Sequence, residues 1–267
     1  MNSENEKMNP YNPTNKLITI SDISNIYKKL DIRNIPVTNL KLYQTAFIHK
    51  SYCKLKEYEN YDNLENSLPL QDKSYETLEF LGDSLIGSII SSYLYKRYGT
   101  IHEQEEGFLT KMKIRLVCGE QLAYLSSCLD LGDYIIISKY VEESRIPGRK
   151  NKNILEDIFE ALIGAIYLDT HDYLIVEELI IHIIEKYVDF SNLILKDNNY
   201  KDQLLRYFQH NYKIYPIYKT SKCDDNTFIC KIYKNEEFIN DGCGESKKKA
   251  EQTASYNSLK KFHVISE

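Results

Sequence analysis

Hydrophobic periodicity changes once along this chain, near residue 199, and this change limits the folds open to it. Before that point, apolar residues recur at helical spacing from Ser21 onward, without the alternation typical of a β-strand. After it, the segments PIYKTSK, NTFICKIYKN and EEFINDGCG alternate in the manner of strands, with one amphipathic helix before them and another after them. The sequence therefore predicts an all-α domain followed by a small α+β domain of order α-β-β-β-α.

The composition of the intervening segments sets the expected boundaries. Residues 1–16 are rich in Asn and contain two prolines, so we expect a disordered lead-in. The all-α domain is expected over residues 17–195 and the α+β domain over residues 199–264. Residues 53–73 lose helical periodicity and are expected to form a long polar loop. A chain of 267 residues with 42% hydrophobic residues can fill both cores.

The formal net charge of -5 is unevenly distributed. Residues 199–264 hold 12 Lys and Arg against 8 Asp and Glu, a net of +4, so the remainder holds 22 against 31, a net of -9. A basic module joined to an acidic body favours a polyanion as partner of the module. The acids of the body then serve another purpose, such as holding cations.

Two absences in the sequence bear on its cellular setting. There is no apolar run of about 18 residues and no apolar segment near the N-terminus, so we expect neither a membrane partner nor secretion. The six cysteines are scattered without a C-x-x-C pair, which indicates reduced thiols rather than a zinc cage or disulfides. We expect an intracellular, cytoplasmic protein without a small-molecule cofactor, with nuclear and viral settings left open.

Two acidic pairs stand inside apolar helical segments. Glu79 and Asp83 are spaced i,i+4, and Asp157 and Glu160 are spaced i,i+3, so each pair projects from one helix face. From spacing alone such acids are usually a solvated surface. Four carboxylates close to a core, however, would repel one another and resist ionisation unless cations neutralised them.

A glycine accompanies each acidic pair. Gly82 lies beside the first pair and Gly164 follows Glu160 by one helical turn, each at a cost of about 1 kcal/mol in helix propensity. Both permit close approach of another helix or of a ligand. An all-oxygen site of this kind suits Mg²⁺ or Mn²⁺. The sequence thus predicts metal-assisted hydrolysis of a phosphodiester.

Several segments together resemble one protein family. The segment ETLEFLGDSL resembles the signature of the ribonuclease III family, AFIHKSY its upstream segment, and EDIFEALIGAIYLD its second acidic motif. The segments EEG, RLV and GEQLA fall between them in the expected order, and residues 199–263 are similar to a double-stranded-RNA-binding domain. The resemblance covers residues 17–264, and it implies a ribonuclease III endonuclease domain over residues 17–195.

The resemblance implies a homodimer in which each subunit forms one catalytic centre. Each centre would cut one strand of an RNA duplex and leave 5′-phosphate, 3′-hydroxyl and a short 3′ overhang, in RNA processing or duplex degradation. Mg²⁺ is the implied cofactor, with Mn²⁺ able to substitute. The matching positions are Glu79, Asp83, Asp157 and Glu160 for the metal-binding catalytic carboxylates, Glu76 and Glu106 for accessory acids, and Phe80 for an aromatic residue that inserts into the partner subunit.

The basic residues give a set of expected RNA contacts. Three lysines follow the glycine turn GCG, where the family places phosphate-contacting residues, and the first helix of the small domain carries a residue at a minor-groove position. The loop GRKNK before the second acidic helix is expected to touch phosphates of the cleaved strand, or else to be a charged loop without a role. These expected residues are Lys247, Lys248, Lys249, Gln203, Arg149 and Lys150.

The sequence departs from the family pattern in a few places. Tyr75 stands where Asn is common, which leaves a local hydrogen bond open, and Glu156 stands where a small residue is common. The loop over residues 53–73 is longer than usual. In the small domain, Tyr207 replaces a usual Glu, and SKCDDNTF lacks the Pro-His loop that enters the next minor groove. We therefore expect weaker or shorter duplex contact from this domain.

Two other functions remain open from the sequence alone. One is a protein that sequesters RNA duplexes and competes with RNA-silencing enzymes without cutting. The other is a metal-dependent structural or ribosome-assembly factor built on the nuclease scaffold. Binding without cleavage in Mg²⁺ or Mn²⁺ would favour the first, and loss of duplex affinity would favour the second.

Overall fold

A computed structural model describes residues 9–63, 66–195, 199–223 and 226–265 of the chain. Two compact units are present, the first ending at Phe190 and the second beginning at Ser191. The predicted division into an all-α and an α+β part is confirmed. None of the described helices is long and apolar enough to cross a membrane.

In the described residues of the first unit the regular secondary structure is helical, apart from two isolated β-bridges, Ile48 with Ile136 and Cys53 with Gln71. Its helices are α1 (Ile20–Leu30), α2 (Leu40–Ala46), α3 (Glu76–Leu94), α4 (Glu106–Val117), α5 (Gly119–Cys128), α6 (Lys139–Glu142), α7 (Lys152–Thr170) and α8 (Tyr173–Tyr187). A short helix α9 (Phe190–Leu195) spans the boundary between the units. A π-helical turn at Tyr95–Thr100 continues α3.

The close crossing of α3 and α7 organises this unit. A Cβ atom added to Gly82 would lie 1.8 Å from the carbonyl oxygen of Glu160, and one added to Gly164 would lie 2.3 Å from the carbonyl oxygen of Leu78. Both distances are far below van der Waals contact, so the two backbones meet where each glycine lacks a side chain. At both glycines another helix approaches closely, which is one of the two possibilities that the sequence predicted.

Side-chain hydrogen bonds cap α1 and connect the start of α2 to α7. Thr19 and Asp22 form a capping box at the start of α1, with the Asp22 carboxylate accepting from the Thr19 backbone N–H at 2.9 Å. Asp169, near the end of α7, accepts from the backbone N–H groups of Thr38 and Asn39 at 2.9 and 2.7 Å. Because those two residues precede α2, the carboxylate satisfies donors at the start of that helix and ties it to α7.

The N-terminal segment differs from the expectation of disorder. Residues 1–8 of the predicted lead-in lie outside the described residues. In residues 9–16, Asn12 and Asn15 are only 2% and 5% exposed, and their side-chain amides donate to the Ile137 carbonyl oxygen at 3.2 and 2.8 Å. These bonds satisfy a backbone group in the core that would otherwise be buried without a partner, which explains why the segment is ordered.

The described part of the long loop over residues 53–73 is fastened to the helical unit at its end. The Tyr52 hydroxyl donates to the Leu68 carbonyl oxygen at 2.8 Å, and the Gln71 backbone N–H donates to the Tyr52 carbonyl oxygen at 3.0 Å. Tyr52 itself is fully buried. The loop therefore returns to the start of α3 along a defined path.

The second unit has the predicted order α-β-β-β-α. It consists of α10 (Tyr200–Tyr212), β1 (Ile217–Lys222), β2 (Phe228–Lys234), β3 (Glu237–Gly244) and α11 (Lys247–Lys261), and the antiparallel sheet has the order β1-β2-β3. Its core contains residues from both helices and two strands, namely Leu204, Phe208, Cys230, Ile232, Ile239, Ala250, Ala254 and Leu259.

Candidate active site

The crossing of α3 and α7 brings the two acidic pairs together. Glu79 and Asp83 project from α3, and Asp157 and Glu160 project from α7, next to the contact between Gly82 and the Glu160 backbone. Asp83 is exposed and Glu79 and Asp157 are half-buried, whereas Glu160 is only 7% exposed. The site is therefore accessible to solvent at Asp83 on α3 and shielded from solvent at Glu160 on α7.

Burial and mutual repulsion disfavour the ionised carboxylates. Burial, and after it the charges of Asp83 and the other nearby acids, together raise the pKa of Glu160 to about 8. Burial followed by the Asp157 charge likewise raises the pKa of Glu79, and burial raises that of Asp157. The nearby Lys50 ammonium opposes these shifts at Glu79 and Asp157, but not enough to reverse them.

Tyr75, which stands where Asn is common, makes a hydrogen bond to a carboxylate of the second acidic pair. Its side chain is 3% exposed, and its hydroxyl donates to Asp157 Oδ2 at 2.7 Å. Burial and this carboxylate raise the pKa of the Tyr75 hydroxyl, so it remains a donor at neutral pH. Its ring lies 5.9 Å from the ring of His49, centroid to centroid. Tyr75 thus orients Asp157, a role that no local spacing in the sequence indicated.

The two expected accessory acids lie in different surroundings. Glu76, at the start of α3, pairs with Lys50 at 3.2 Å and accepts a hydrogen bond from Ser74 at 3.1 Å, and these contacts hold its pKa below the usual range. Its charge contributes to the raised pKa of Glu79, so it borders the site. Glu106 begins α4 and accepts from Thr110 at 2.9 Å.

Glu106 is placed by the structure in a groove between α3 and α4. Ser91, Tyr95 and Lys113 also line this groove. Ser91 lies about two turns of α3 beyond Asp83, so Glu106 stands at some distance along the helix from the four carboxylates. Its expected supporting role stays a prediction.

The donor set at the crossing fits a hard divalent cation. All of the candidate ligands are carboxylates, which suit Mg²⁺ and Mn²⁺ rather than softer metals. Among the described residues, no three Asp, Glu, His or Cys side chains converge closely enough to hold a metal ion without moving. The two acidic pairs are adjacent at the crossing, and in the described residues they do not form a closed ligand set.

Phe80 lies on α3 between the two members of the first acidic pair. It is 77% exposed, more than any other large hydrophobic side chain of the described residues. Its neighbour Glu79 turns towards α7 while Phe80 turns away from the core. An aromatic side chain this exposed is suited to a protein interface.

The structure separates the expected RNA-binding residues into two groups. Lys247, Lys248 and Lys249 are exposed in the first turn of α11, where Ser246 caps the helix by accepting from the Lys249 backbone N–H at 3.2 Å. Gln203 is half-buried on α10, and Lys150 is exposed before α7. The RNA contacts expected of these residues stay a prediction.

Arg149 is oriented away from that role. Its Nε donates to Glu142 at 2.7 Å, its Nη1 to the Ile135 carbonyl oxygen at 2.6 Å, and its Nη2 to Asn15 at 3.0 Å. The side chain is 18% exposed. Its donors are directed inward, so the geometry opposes the expected phosphate contact and indicates that Arg149 holds the N-terminal segment against the loop before α7.

Comparisons with known proteins agree with the helical site and the α+β module. The family description "Ribonuclease-III-like" matches residues 39–186, and "Double-stranded RNA binding motif" matches residues 200–262. A protein of Borreliella burgdorferi named "Ribonuclease 3" is 35% identical over 248 residues, covering 91% of this chain and 93% of that protein. Its counterpart in Borreliella afzelii is 36% identical over 242 residues, covering 88% and 91%.

A viral relative and a solved structure are also similar. "Probable ribonuclease 3" of Acanthamoeba polyphaga mimivirus is 33% identical over 261 residues, which cover 94% of this chain and 47% of that protein, so the chain spans about half of its length. The nuclease domain of ribonuclease III from Campylobacter jejuni aligns with a TM-score of 0.47 and 27% identity, over 61% of this chain and 96% of that one.

The fold and the acidic crossing define a nuclease joined to a nucleic-acid-binding module. The chain belongs to the ribonuclease III family. It is a ribonuclease III enzyme that carries a double-stranded RNA binding motif after the nuclease domain, as the resemblance in sequence implied.

Proposed function

We propose that this chain is a homodimeric, divalent-metal-dependent endoribonuclease that cuts double-stranded RNA into products with 5′-phosphate, 3′-hydroxyl and short 3′ overhangs. The observation that carries the proposal is the crossing at Gly82 and Gly164, which sets two acidic pairs side by side around the buried Glu160. Such products would arise in RNA processing or duplex degradation. All six cysteines are free, which supports an intracellular, cytoplasmic setting.

The four carboxylates Glu79, Asp83, Asp157 and Glu160 would hold Mg²⁺, with Mn²⁺ as a substitute. When bound, the metal supplies an activated water and stabilises the leaving oxygen of the phosphodiester. Tyr75 keeps Asp157 in position through its hydrogen bond of 2.7 Å. Burial and the neighbouring acids raise the pKa of Glu160 to about 8, so a bound cation would have to displace its proton near neutral pH and metal affinity would depend on pH.

The α+β unit would bring the duplex to the site. Lys247 and Lys248, helped by Lys249, present exposed ammonium groups at the N-terminus of α11, where the helix dipole also favours phosphate. Gln203 on α10 would contact the minor groove. In the nuclease domain, Lys150 is the residue of the GRKNK loop that remains exposed for phosphate contact.

Phe80 would anchor the dimer by inserting into a second copy of the chain. Burying this side chain contributes about 1.5–3 kcal/mol per subunit. Phe80→Ala should therefore weaken dimerisation and lower duplex cleavage at low protein concentration, with recovery at high concentration. Ile101→Ala is the matched control, because Ile101 is 70% exposed and lies beyond the end of α3. Sedimentation velocity showing the same dimer for both variants at low micromolar concentration would exclude Phe80 as a major anchor.

Cleavage of a long RNA duplex in Mg²⁺ tests the function directly. Wild type should yield short products with 3′ overhangs, whereas Asp83→Ala and Glu160→Ala should bind the duplex without cutting it. Glu178→Ala, which removes an exposed acid from α8, should cleave as wild type does. Duplex binding without cleavage by wild type in both Mg²⁺ and Mn²⁺ would instead favour a sequestering protein.

A further inference from the structure

The sheet of the second unit has one face covered by its helices and one open face. Cys230, Ile232 and Ile239 turn towards α10 and α11, where they form part of the core of this unit. Side chains alternate across a strand, so the neighbours of these residues point to the opposite face. On that face Lys231 and Phe238 are exposed. The open face therefore presents side chains that take no part in this core.

The strand register groups the outward side chains into an apolar row and a charged row. Residues that pair directly across strands lie on the same face of the sheet. The register shifts between Ile232 and Tyr233, which sets Phe238 opposite Tyr233. The two rows are Ile217, Tyr233 and Phe238, and Lys219, Lys231 and Asp241. Because the rows are neighbours along the strands, aromatic rings and ammonium groups share one surface.

The aromatic row presents a ring beside a cation. The ring centroids of Tyr233 and Phe238 are 5.7 Å apart, with an interplanar angle of 70°, and Phe238 is 47% exposed. The Lys219 ammonium lies 4.7 Å from the centroid of the Tyr233 ring. Aromatic pairs across strands stabilise a sheet without any ligand. An exposed ring beside ammonium groups is also how proteins bind single-stranded nucleic acids, with bases stacked on rings and phosphates on cations.

The charged row favours an anionic ligand. Lys219 and Lys231 are direct cross-strand partners, and like charges placed directly opposite each other destabilise a sheet. Neither ammonium forms an ion pair with a carboxylate in the part of the chain that the structure describes. Asp241 is the one acid that the described strands direct to this face, since Glu237 pairs with Lys234 on the other face. Two lysines against one half-buried acid leave a positive charge that phosphate would neutralise.

We propose that the open face of this sheet binds single-stranded RNA. A base stacks on Phe238, which Tyr233 supports from the side, and Lys219 and Lys231 contact the flanking phosphates. This surface is separate from the lysines at the start of α11 that are proposed to contact the duplex. The inference goes beyond the proposed cleavage and does not depend on the metal site.

Fluorescence anisotropy of the full-length protein with a labelled oligouridine of about 12 nucleotides tests this proposal, in EDTA so that no cleavage occurs. Phe238→Ala should weaken binding about 5-fold or more, because a stacked base is lost. Phe238→Leu keeps an apolar side chain on the sheet but has no ring, and should weaken binding to a similar extent. Lys231→Gln should lower the slope of log affinity against log salt concentration by about 0.7, because one phosphate contact is lost.

A matched control comes from the same strand. Lys234 lies on the helix side of the sheet, with its ammonium 3.7 Å from the centroid of the Tyr212 ring. Lys234→Gln should therefore bind oligouridine as wild type does, with the same salt slope. Phe238→Leu should retain wild-type affinity for a blunt RNA duplex, whereas Lys247→Gln should weaken binding of that duplex.

Three results would overturn the inference. The first is that wild type does not bind oligouridine, or that Phe238→Leu and Lys231→Gln bind it as wild type does. The second is that Lys247→Gln loses oligouridine binding while the sheet variants keep it, since the single strand would then bind at α11. The third is that the sheet variants change only the sedimentation coefficient, which would make this face a contact between copies of the chain. Thermal melting checks folding, and if Phe238→Ala is unfolded, Phe238→Leu and Lys231→Gln decide.

Discussion

Replacing Gly82 with alanine tests whether the backbone contact between α3 and α7 holds the active site together. The new Cβ would stand 1.8 Å from the Glu160 carbonyl oxygen, whereas ordinary contact begins near 3.4 Å. The helices must therefore separate by about 1.6 Å at this point, because neither atom belongs to a flexible side chain. The same α3 contains Gly87, where a Cβ would meet only the Lys113 ammonium at 4.0 Å.

The two substitutions should have opposite effects on stability. Alanine in place of glycine gains about 1 kcal/mol of helix propensity at either position. At Gly82, overpacking costs about 3 kcal/mol or more, the upper end of the usual range, because the site cannot relax. Gly82→Ala should therefore lower the free energy of unfolding by about 2 kcal/mol or more. Gly87→Ala should gain about 0.5–1 kcal/mol. In a domain of this size the first should melt roughly 4–8 °C lower and the second about 1–4 °C higher.

Hydrogen exchange during urea unfolding measures the effect on the nuclease domain alone. Peptides from α3 and α7 report that domain, while peptides from α10 and α11 report the second unit and serve as an internal reference. Gly82→Ala should also weaken Mn²⁺ binding, since separating the helices moves the two acidic pairs apart. If Gly82→Ala were as stable as Gly87→Ala, the backbone crossing would not be the contact that the structure describes.

Three further predictions concern single side chains. Arg149→Ala should destabilise the nuclease domain by about 2–4 kcal/mol in urea unfolding, because it leaves buried acceptors unpaired, and it should have little effect on RNA affinity per folded molecule. Lys150→Ala should instead weaken RNA binding in a filter-binding assay and leave the stability of the domain unchanged. Tyr75→Phe should lower Mn²⁺ affinity about 10-fold or more through the loss of the hydrogen bond to Asp157, and unchanged affinity would contradict its orienting role. In metal-free protein, the unfolding free energy of Glu160→Gln should equal that of wild type near pH 4 and exceed it by a few kcal/mol above pH 8. The pKa of the Glu160 carboxyl is raised from 4.5 to about 8 in the folded protein. Wild type therefore loses stability as the pH rises through that window, whereas the variant does not. A gap that did not widen with pH in a series of urea titrations would refute this last argument.

Features that depend on spacing along one segment were predictable from the sequence. The acidic pairs, the glycine beside each pair and the change from helical to alternating periodicity all lie within a few residues of one another, so their geometry follows from the period of the helix or strand. The same reasoning predicted the close approach of another helix or of a ligand to α3 at Gly82. It did not identify α7 as that helix.

Features that depend on tertiary partners were not predictable. Tyr75 and Asp157 are 82 residues apart, and Arg149 and Asn15 are 134 residues apart. A basic residue in a polar loop carries no local sign that its donors turn inward, so Arg149 was expected to contact RNA. For the same reason the polar composition of residues 9–16 indicated disorder, because the acceptor that orders them, the Ile137 carbonyl group, belongs to a distant segment.

Two features of the crossing of α3 and α7 lower the stability of the fold locally, and the proposed metal site would explain both. Two glycines lower the helix propensity of the central helices by about 1 kcal/mol each. The buried Glu160 lowers stability at neutral pH because its pKa is raised to about 8, so the carboxyl group must take up a proton on folding. In an isolated helix alanine would be more favourable than either glycine, and an uncharged residue would be more favourable in the core than Glu160. Together they set the carboxylates of two helices side by side at the crossing, where the proposed cation would bind. A divalent ion should therefore stabilise the folded nuclease domain in proportion to the logarithm of its concentration, and this stabilisation should be larger at pH 8 than at pH 5.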